Sequence, residues 1–270
     1  MKYGSAAWGF RELPLEKRLE ITRDLVLPVH ELGIENADTD VKVTDSVSDI
    51  KDLYEKYGIE LICAATGNDF TEGNKNDIGL IKKVVDMCKE LGIKYLRIFA
   101  GFSPVDDVVG ERWNVMIDAL TELGNYSKGT GVTLAVETHG GVNTFDDGVE
   151  HFYSTSTQPE ALKKLMEQIP ENVFFNYDPA NLYAVGIKNP DEIYQMIKDR
   201  VAYAHFKDFV TLPSGHLLPA ACGESDMDWN TILNGISERD LLAVFEYEIP
   251  DDLKNGLERC YNYIKNIKVV

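Results

Sequence analysis

Four stretches in the second half of the chain decide the fold: Val132–Gly141 (VTLAVETHGG), Val173–Leu182 (VFFNYDPANL), Ala202–Phe209 (AYAHFKDF) and Leu241–Glu248 (LLAVFEYE). Each is a short β-rich run that ends in residues costly to bury unless they are paired or coordinated. In the first, no charge precedes Glu137, which stands just before the Gly140-Gly141 loop. In the second, period-two alternation puts Phe174, Asn176 and Asp178 on one face and Tyr177 on the other, so that Asp178 closes the strand. The third shares a face among Tyr203, His205 and Lys207, the fourth among Val244, Glu246 and Glu248. Glu137, Asp178, His205 and Glu246 are thus expected at equivalent strand ends, facing one barrel mouth.

Working outward, β-rich runs alternate with longer helical ones along the whole chain, the order of a parallel sheet with helical crossovers. Eight pairs can be counted, with strands expected over Lys2–Ala7, Gly33–Asn36, Glu60–Ala64, Tyr95–Phe99, Thr133–Glu137, Val173–Asp178, Ala202–Phe206 and Leu242–Tyr247. Between them, Asp77–Leu91 carries Ile78, Ile81, Val84, Val85 and Cys88 at helical spacing. Glycine at Leu32-Gly33-Ile34, Tyr57-Gly58-Ile59 and Leu91-Gly92-Ile93 reads as a left-handed cap between helix and strand. No linker or change of composition divides the chain, so residues 1–270 read as a single α/β domain, a (β/α)₈ TIM barrel. The main stretches read as irregular, Gly140–Gln158 and Val210–Met227, follow strands and mark the working face.

Composition narrows the partners. The 270-residue chain is 44% hydrophobic and 27% charged, ordinary soluble usage, and no run approaches the roughly 20 apolar residues that span a bilayer. A formal charge of −18 opposes attraction to nucleic acid or an anionic membrane and leaves a small molecule or a cation as partner. The start, MKYGSAAWGF, lacks the pattern of a secretory signal, and Cys63, Cys88, Cys222 and Cys260 are scattered without CxxC pairing. A cytoplasmic protein with reduced thiols is expected. A monomer and a homo-oligomer are both compatible with the sequence.

Three carboxylates and one imidazole form a hard, oxygen-rich donor set that suits Mn²⁺ first, then Mg²⁺, Co²⁺ or Zn²⁺, and one divalent ion is expected. Taken singly, a strand-end aspartate can cap the next helix and a buried histidine can simply hydrogen-bond. Four at equivalent ends argue for the metal. Glu248, Asp208 and Glu224 are expected one step further out.

The motifs AVETHG, NYDPANL, HFKD, GESDMDW and FEYE resemble the sugar phosphate isomerase/epimerase superfamily, the xylose isomerase-like barrels that also include the AP endonucleases (family 2). The resemblance covers nearly the whole chain. It implies that Glu137, Asp178, His205 and Glu246 are the metal ligands and that Glu137 and Glu246 also move protons. The expected activity is a metal-dependent isomerase or epimerase acting on a sugar, ketose or polyol-derived ketone through an enediolate. The alternatives are a dehydratase of the inosose or dehydroshikimate type, or a non-catalytic sugar-binding barrel. Where ketose 3-epimerases carry a histidine after the sixth-strand aspartate, this chain has Asn181, and where they carry an arginine near the end of the seventh strand, Lys207 stands closest. HFKD is closer to the inosose dehydratase branch. An AP endonuclease is disfavoured, because the chain has five histidines and strong negative charge.

Further substrate contacts are expected from Lys207, His139, Asn181, Trp8 and Glu224. Lys207 can neutralise substrate charge, donate a proton, or pair with Asp208. His139 can orient a hydroxyl or hold the loop. Trp8, Phe10, Phe102 and Trp113 are candidates for an apolar wall, with Trp8 preferred and core packing the commoner fate.

Overall fold

The computed structural model describes residues 1–72 and 75–269. Thirteen strands occur among them: β1 (Lys2–Ser5), β2 (Val29–His30), β3 (Leu32–Gly33), β4 (Cys63–Ala65), β5 (Tyr95–Ile98), β6 (Thr133–Glu137), β7 (Gly141–Phe145), β8 (Gly148–Phe152), β9 (Val173–Tyr177), β10 (Val201–Phe206), β11 (Asp208–Thr211), β12 (Leu217–Ala220) and β13 (Leu242–Phe245). Nine form one parallel sheet in the order β2-β1-β13-β10-β9-β6-β5-β4-β3. Its two ends, β2 and β3, are the halves of one segment separated by Glu31 alone, so the sheet closes on itself into an eight-position barrel.

Helices α1 (Leu15–Asp24), α2 (Val47–Tyr57), α3 (Lys75–Leu91), α4 (Glu111–Ser127), α5 (Pro159–Gln168), α6 (Pro179–Ala184), α7 (Pro190–Ile197), α8 (Trp229–Ile236) and α9 (Leu253–Asn266) accompany the strands. On α3 the expected stripe is realised: Ile81, Val84, Val85 and Cys88 are fully buried and Ile78 packs beside them. One apolar cluster includes that stripe, the buried faces of the helices and the outward face of the strands. A separate, smaller one contains Val29, Cys63, Ala135, Tyr203 and Val244, whose strand positions turn them into the barrel. The barrel is therefore packed below its mouth.

Gly58 caps α2 at φ +65° and Gly92 follows α3 at φ +80°, the left-handed geometry expected of them. Gly33 behaves differently. It lies within the strand, and the second strand runs over Val29–Gly33 instead of Gly33–Asn36. Beyond it the chain turns out of the barrel, with Glu35 at φ +54°. Gly33 is required by close approach: a Cβ there would meet the Asp40 carboxylate at 2.4–2.6 Å, while Asp40 is held 2.7 Å from the buried Arg18 guanidinium.

The two stretches read as irregular are also ordered. They supply β7–β8 and β11–β12, joined at Leu217 and Val149 into a four-stranded antiparallel sheet beside the mouth. The overlooked signal is the alternation in VNTFDDGVEHF, with Phe145 and Gly148 paired across the Asp146-Asp147 turn.

Gly33→Ala is expected to cost about 1–3 kcal/mol in a urea melt by forcing Asp40 away from Arg18. Gly79→Ala, facing open space on α3, should instead match or exceed the wild type. Equal stability of Gly33→Ala and wild type would contradict the close approach.

Candidate metal centre

Four neighbouring strands, β6, β9, β10 and β13, deliver the expected residues side by side, with the two glutamates on the outer pair. Glu137, Asp178, His205 and Glu246 each offer one donor atom, and those atoms all lie within 4.8 Å of one another. All four side chains are buried. Parallel pairing sets their level: Glu137 lies opposite Asn176, two residues before Asp178, and His205 opposite Val244, two before Glu246.

The local bonds leave the inner atoms available. Asp178 does cap α6, as the simpler reading of a strand-end aspartate allowed, but only through Oδ1, which accepts from Asn181 N at 3.0 Å. Its Oδ2 is buried without a hydrogen bond, as is His205 Nδ1. His205 Nδ1 lies 3.4 Å from Glu246 Oε2 and 3.9 Å from Glu137 Oε2. Two buried atoms without hydrogen bonds, set among carboxylates, offer lone pairs that a cation would take, so the cluster fits one divalent ion.

Lys207 balances this charge. Its ammonium stands 2.9 Å from Glu246 and from Glu248 and 3.4 Å from Asp178 Oδ2. It is thus directed at the cluster and makes no ion pair with Asp208. Burial pushes Asp178 up to about 7, despite the nearby lysine. Burial likewise raises Glu137. Burial would raise Glu246 as well, but Lys207 and His205 hold it well below the usual carboxylate range. Against the cost of burial, Glu31 and Glu246 hold His205 well above its ordinary value, and Glu246, Glu248 and Asp178 do the same for Lys207.

A cavity of about 410 Å³ opens beside the cluster, lined by Glu137 and Glu246 but not by Asp178 or His205. Its polar floor includes Arg97, Glu137, Lys207, Glu246 and Glu248, and its apolar wall Trp8, Phe99, Phe102 and Phe209. His139 also lines it, with its ring centroid 5.3 Å from those of Phe99 and Phe102 in edge-to-face geometry and its backbone held by Ser154 and Ser156. Of the other aromatics, Phe10 and Trp113 are in the core. Asn181 is fully buried outside the cavity lining, and its Nδ2 donates to Glu137 Oε1 at 3.0 Å, so it steadies that carboxylate. Glu224 is also away from the lining: it accepts from Ala221 N and pairs with Arg259. Asp208 pins the neighbouring loop through Gly223 N and Trp229 Nε1.

Besides Phe99 and Phe209 of the wall, three titratable residues were not foreseen. Arg97 is buried 3.2 Å from Glu137 Oε2 and donates to Thr66 O. His151 is brought to the cavity by the β7–β8 hairpin. Glu31 bonds His205 from across the barrel. Charge inside the apolar runs LPVHELGI and KYLRIF was the available signal for the first and third.

Among the solved structures that share the architecture, three illustrate it. The probable 3-DHS dehydratase AsbF from Bacillus anthracis superposes with a TM-score of 0.80 at 13% identity, covering 99% of this chain and 100% of that one. The IOLI protein, solved with a bound zinc atom, gives 0.76 at 18% identity, covering both chains fully at 100%. D-psicose 3-epimerase from Clostridium cellulolyticum H10, solved with D-tagatose, gives 0.73 at 12% identity with 100% coverage of each. At such identities the likeness is one of fold. A search among curated proteins finds no significant sequence match. The family described as xylose isomerase-like TIM barrel matches residues 28–266, almost the entire chain. The protein therefore belongs to the xylose isomerase-like TIM barrels.

Proposed function

We propose that the protein is a divalent-metal-dependent isomerase or epimerase acting on a sugar, ketose or polyol-derived ketone through an enediolate. The observation that carries this reading is the pair Glu137 and Glu246, which line one cavity and flank Asp178 and His205 in strand order. A divalent ion in the cluster, with Mn²⁺ preferred for the oxygen-rich donors, would polarise adjacent carbonyl and hydroxyl oxygens of the substrate.

The chain's own groups then divide the proton work. Glu246 lines the cavity and is placed to take the carbon-bound proton. Glu137, facing the same cavity, is placed to return one to another face or carbon. Asn181 and Arg97 hold Glu137 in place, and Lys207 neutralises charge developing on the substrate oxygen. The wall of Trp8, Phe99, Phe102 and Phe209 offers an apolar face to the sugar carbons and limits water.

A second reading draws on the same lysine. A hydroxyl placed β to the carbonyl, near Lys207 and Glu248, would take a proton and leave as water, which is dehydratase chemistry. We assign the protein to the cytoplasm, where four buried free thiols stay reduced. Among the described residues no helix is long and apolar enough to cross a membrane.

Supplied with Mn²⁺, the protein should exchange solvent deuterium into at least one member of a panel of ketoses, inososes and related hydroxyketones. Glu137→Gln and Glu246→Gln should each lower that exchange by about 10²–10⁴-fold. No exchange into any member would refute the enediolate, whereas net loss of water would establish the second reading.

Asp178→Asn should abolish metal retention in elemental analysis, and full retention would refute the ligand assignment. In metal-free protein the raised Asp178 group favours the folded state at low pH, and that contribution is lost as pH rises from about 4 through about 7. The melting temperature of metal-free wild type should therefore fall more between pH 6 and 8 than that of metal-free Asp178→Asn. Identical slopes would contradict the shift.

A further inference from the structure

Glu31 interrupts the second barrel strand, and its side chain is fully buried. Its backbone N–H still pairs with Ser5 O on β1 at 2.9 Å, so the interruption leaves the strand in place. Both oxygens of the carboxylate are engaged, by two other segments of the barrel. Oε1 accepts from Tyr203 Oη at 2.8 Å and lies 2.9 Å from His205 Nε2, while Oε2 accepts from Ala7 N at 3.0 Å. Both Tyr203 and His205 belong to β10, on the far side of the barrel from Val29–Gly33. None of the reaction steps above uses this residue.

We infer that Glu31 is a positioning residue that holds His205 with its Nδ1 turned to the metal, by accepting the Nε2 proton. The two ring nitrogens are unequally placed. Nε2 is engaged by Glu31, and Nδ1 has no hydrogen bond and faces Glu246 and Glu137. An ionised carboxylate only accepts hydrogen bonds, so the nitrogen against it must carry a proton. The lone pair used for ligation is then the one on Nδ1, and the ring cannot turn without breaking the Glu31 contact. Tyr203 Oη and Ala7 N in turn fix the carboxylate, so the imidazole is aimed before any ion arrives. A water or a backbone carbonyl could accept the same proton. A carboxylate adds negative charge behind the ring and strengthens the donor. The inference rests on the metal reading above and not on the reaction assigned to it.

The test uses Zn²⁺ binding to the intact chain without substrate, measured by competition with a chelator. Glu31→Gln should weaken binding by about 10–100-fold. Tyr203→Phe removes the other side-chain bond to Glu31 but leaves Glu31 against His205, and should change affinity by less than about three-fold. A merely structural role would lower the melting temperature of both metal-free variants and separate neither by affinity. Should Glu31→Gln not fold, Glu31→Asp withdraws the carboxylate while keeping its charge, and should weaken binding in the same direction. In Zn²⁺-loaded wild type labelled with ¹⁵N-histidine, long-range spectra should show His205 metallated at Nδ1 and protonated at Nε2. Ligation through Nε2, or Zn²⁺ affinity of Glu31→Gln within about two-fold of wild type, overturns the proposal. Wild type that binds no divalent ion overturns the metal reading and this proposal together.

Discussion

Like-charge crowding at the barrel mouth is the constraint on which the rest of the site depends. Glu137, Asp178 and Glu246 are buried with donor atoms within 4.8 Å of one another, an arrangement that opposes itself unless positive charge is supplied. The protein supplies some through Lys207, which reaches Asp178, Glu246 and Glu248. It supplies more through Arg97 beside Glu137. Even so, Asp178 Oδ2 and His205 Nδ1 are left without hydrogen bonds. A divalent cation is the remaining partner that would complete the balance, and the fold holds the donors ready for it.

The barrel makes such crowding achievable. Parallel strands all end at one mouth, so residues far apart in sequence converge once the register is set, and β6, β9, β10 and β13 are immediate neighbours. The apolar cluster below the mouth keeps those strands rigid, and the outer layer of helices holds the barrel closed. Polar groups inside are accordingly partnered through the lumen. Glu31 bonds across it, and Asn181 supports Glu137 from the helix that Asp178 caps. Pre-positioned groups of this kind reorganise little when charge develops in a reaction.

How much of this was legible in the sequence follows from which interactions are local. The ends at Glu137, Asp178, His205 and Glu246 were readable because a first charge after an apolar run marks both a strand end and its facing. Lys207, Trp8 and His139 also line the cavity, since they sit on the same strand ends or the loops that follow. Asn181 and Glu224, expected as substrate contacts, are both outside the cavity lining. The turn of α6 directs Asn181 at Glu137, and Arg259 draws Glu224 outward. The second strand was misplaced because Glu31 breaks the pattern of an apolar run, and its side-chain partners Tyr203 and His205 lie more than 170 residues away in the chain. The hairpin carrying His151 was read as loop because its strands are half exposed and its alternation is mostly polar.

The central claim is that these four side chains bind a single divalent ion at the mouth of the barrel. A crystal of the protein grown with Mn²⁺ and measured near the manganese absorption edge tests it most directly. The account predicts one anomalous peak per chain, about 2.0–2.3 Å from Glu137, Asp178, His205 Nδ1 and Glu246. No peak there, or a peak ligated by other residues while these four remain paired with Lys207 and Arg97, would contradict it.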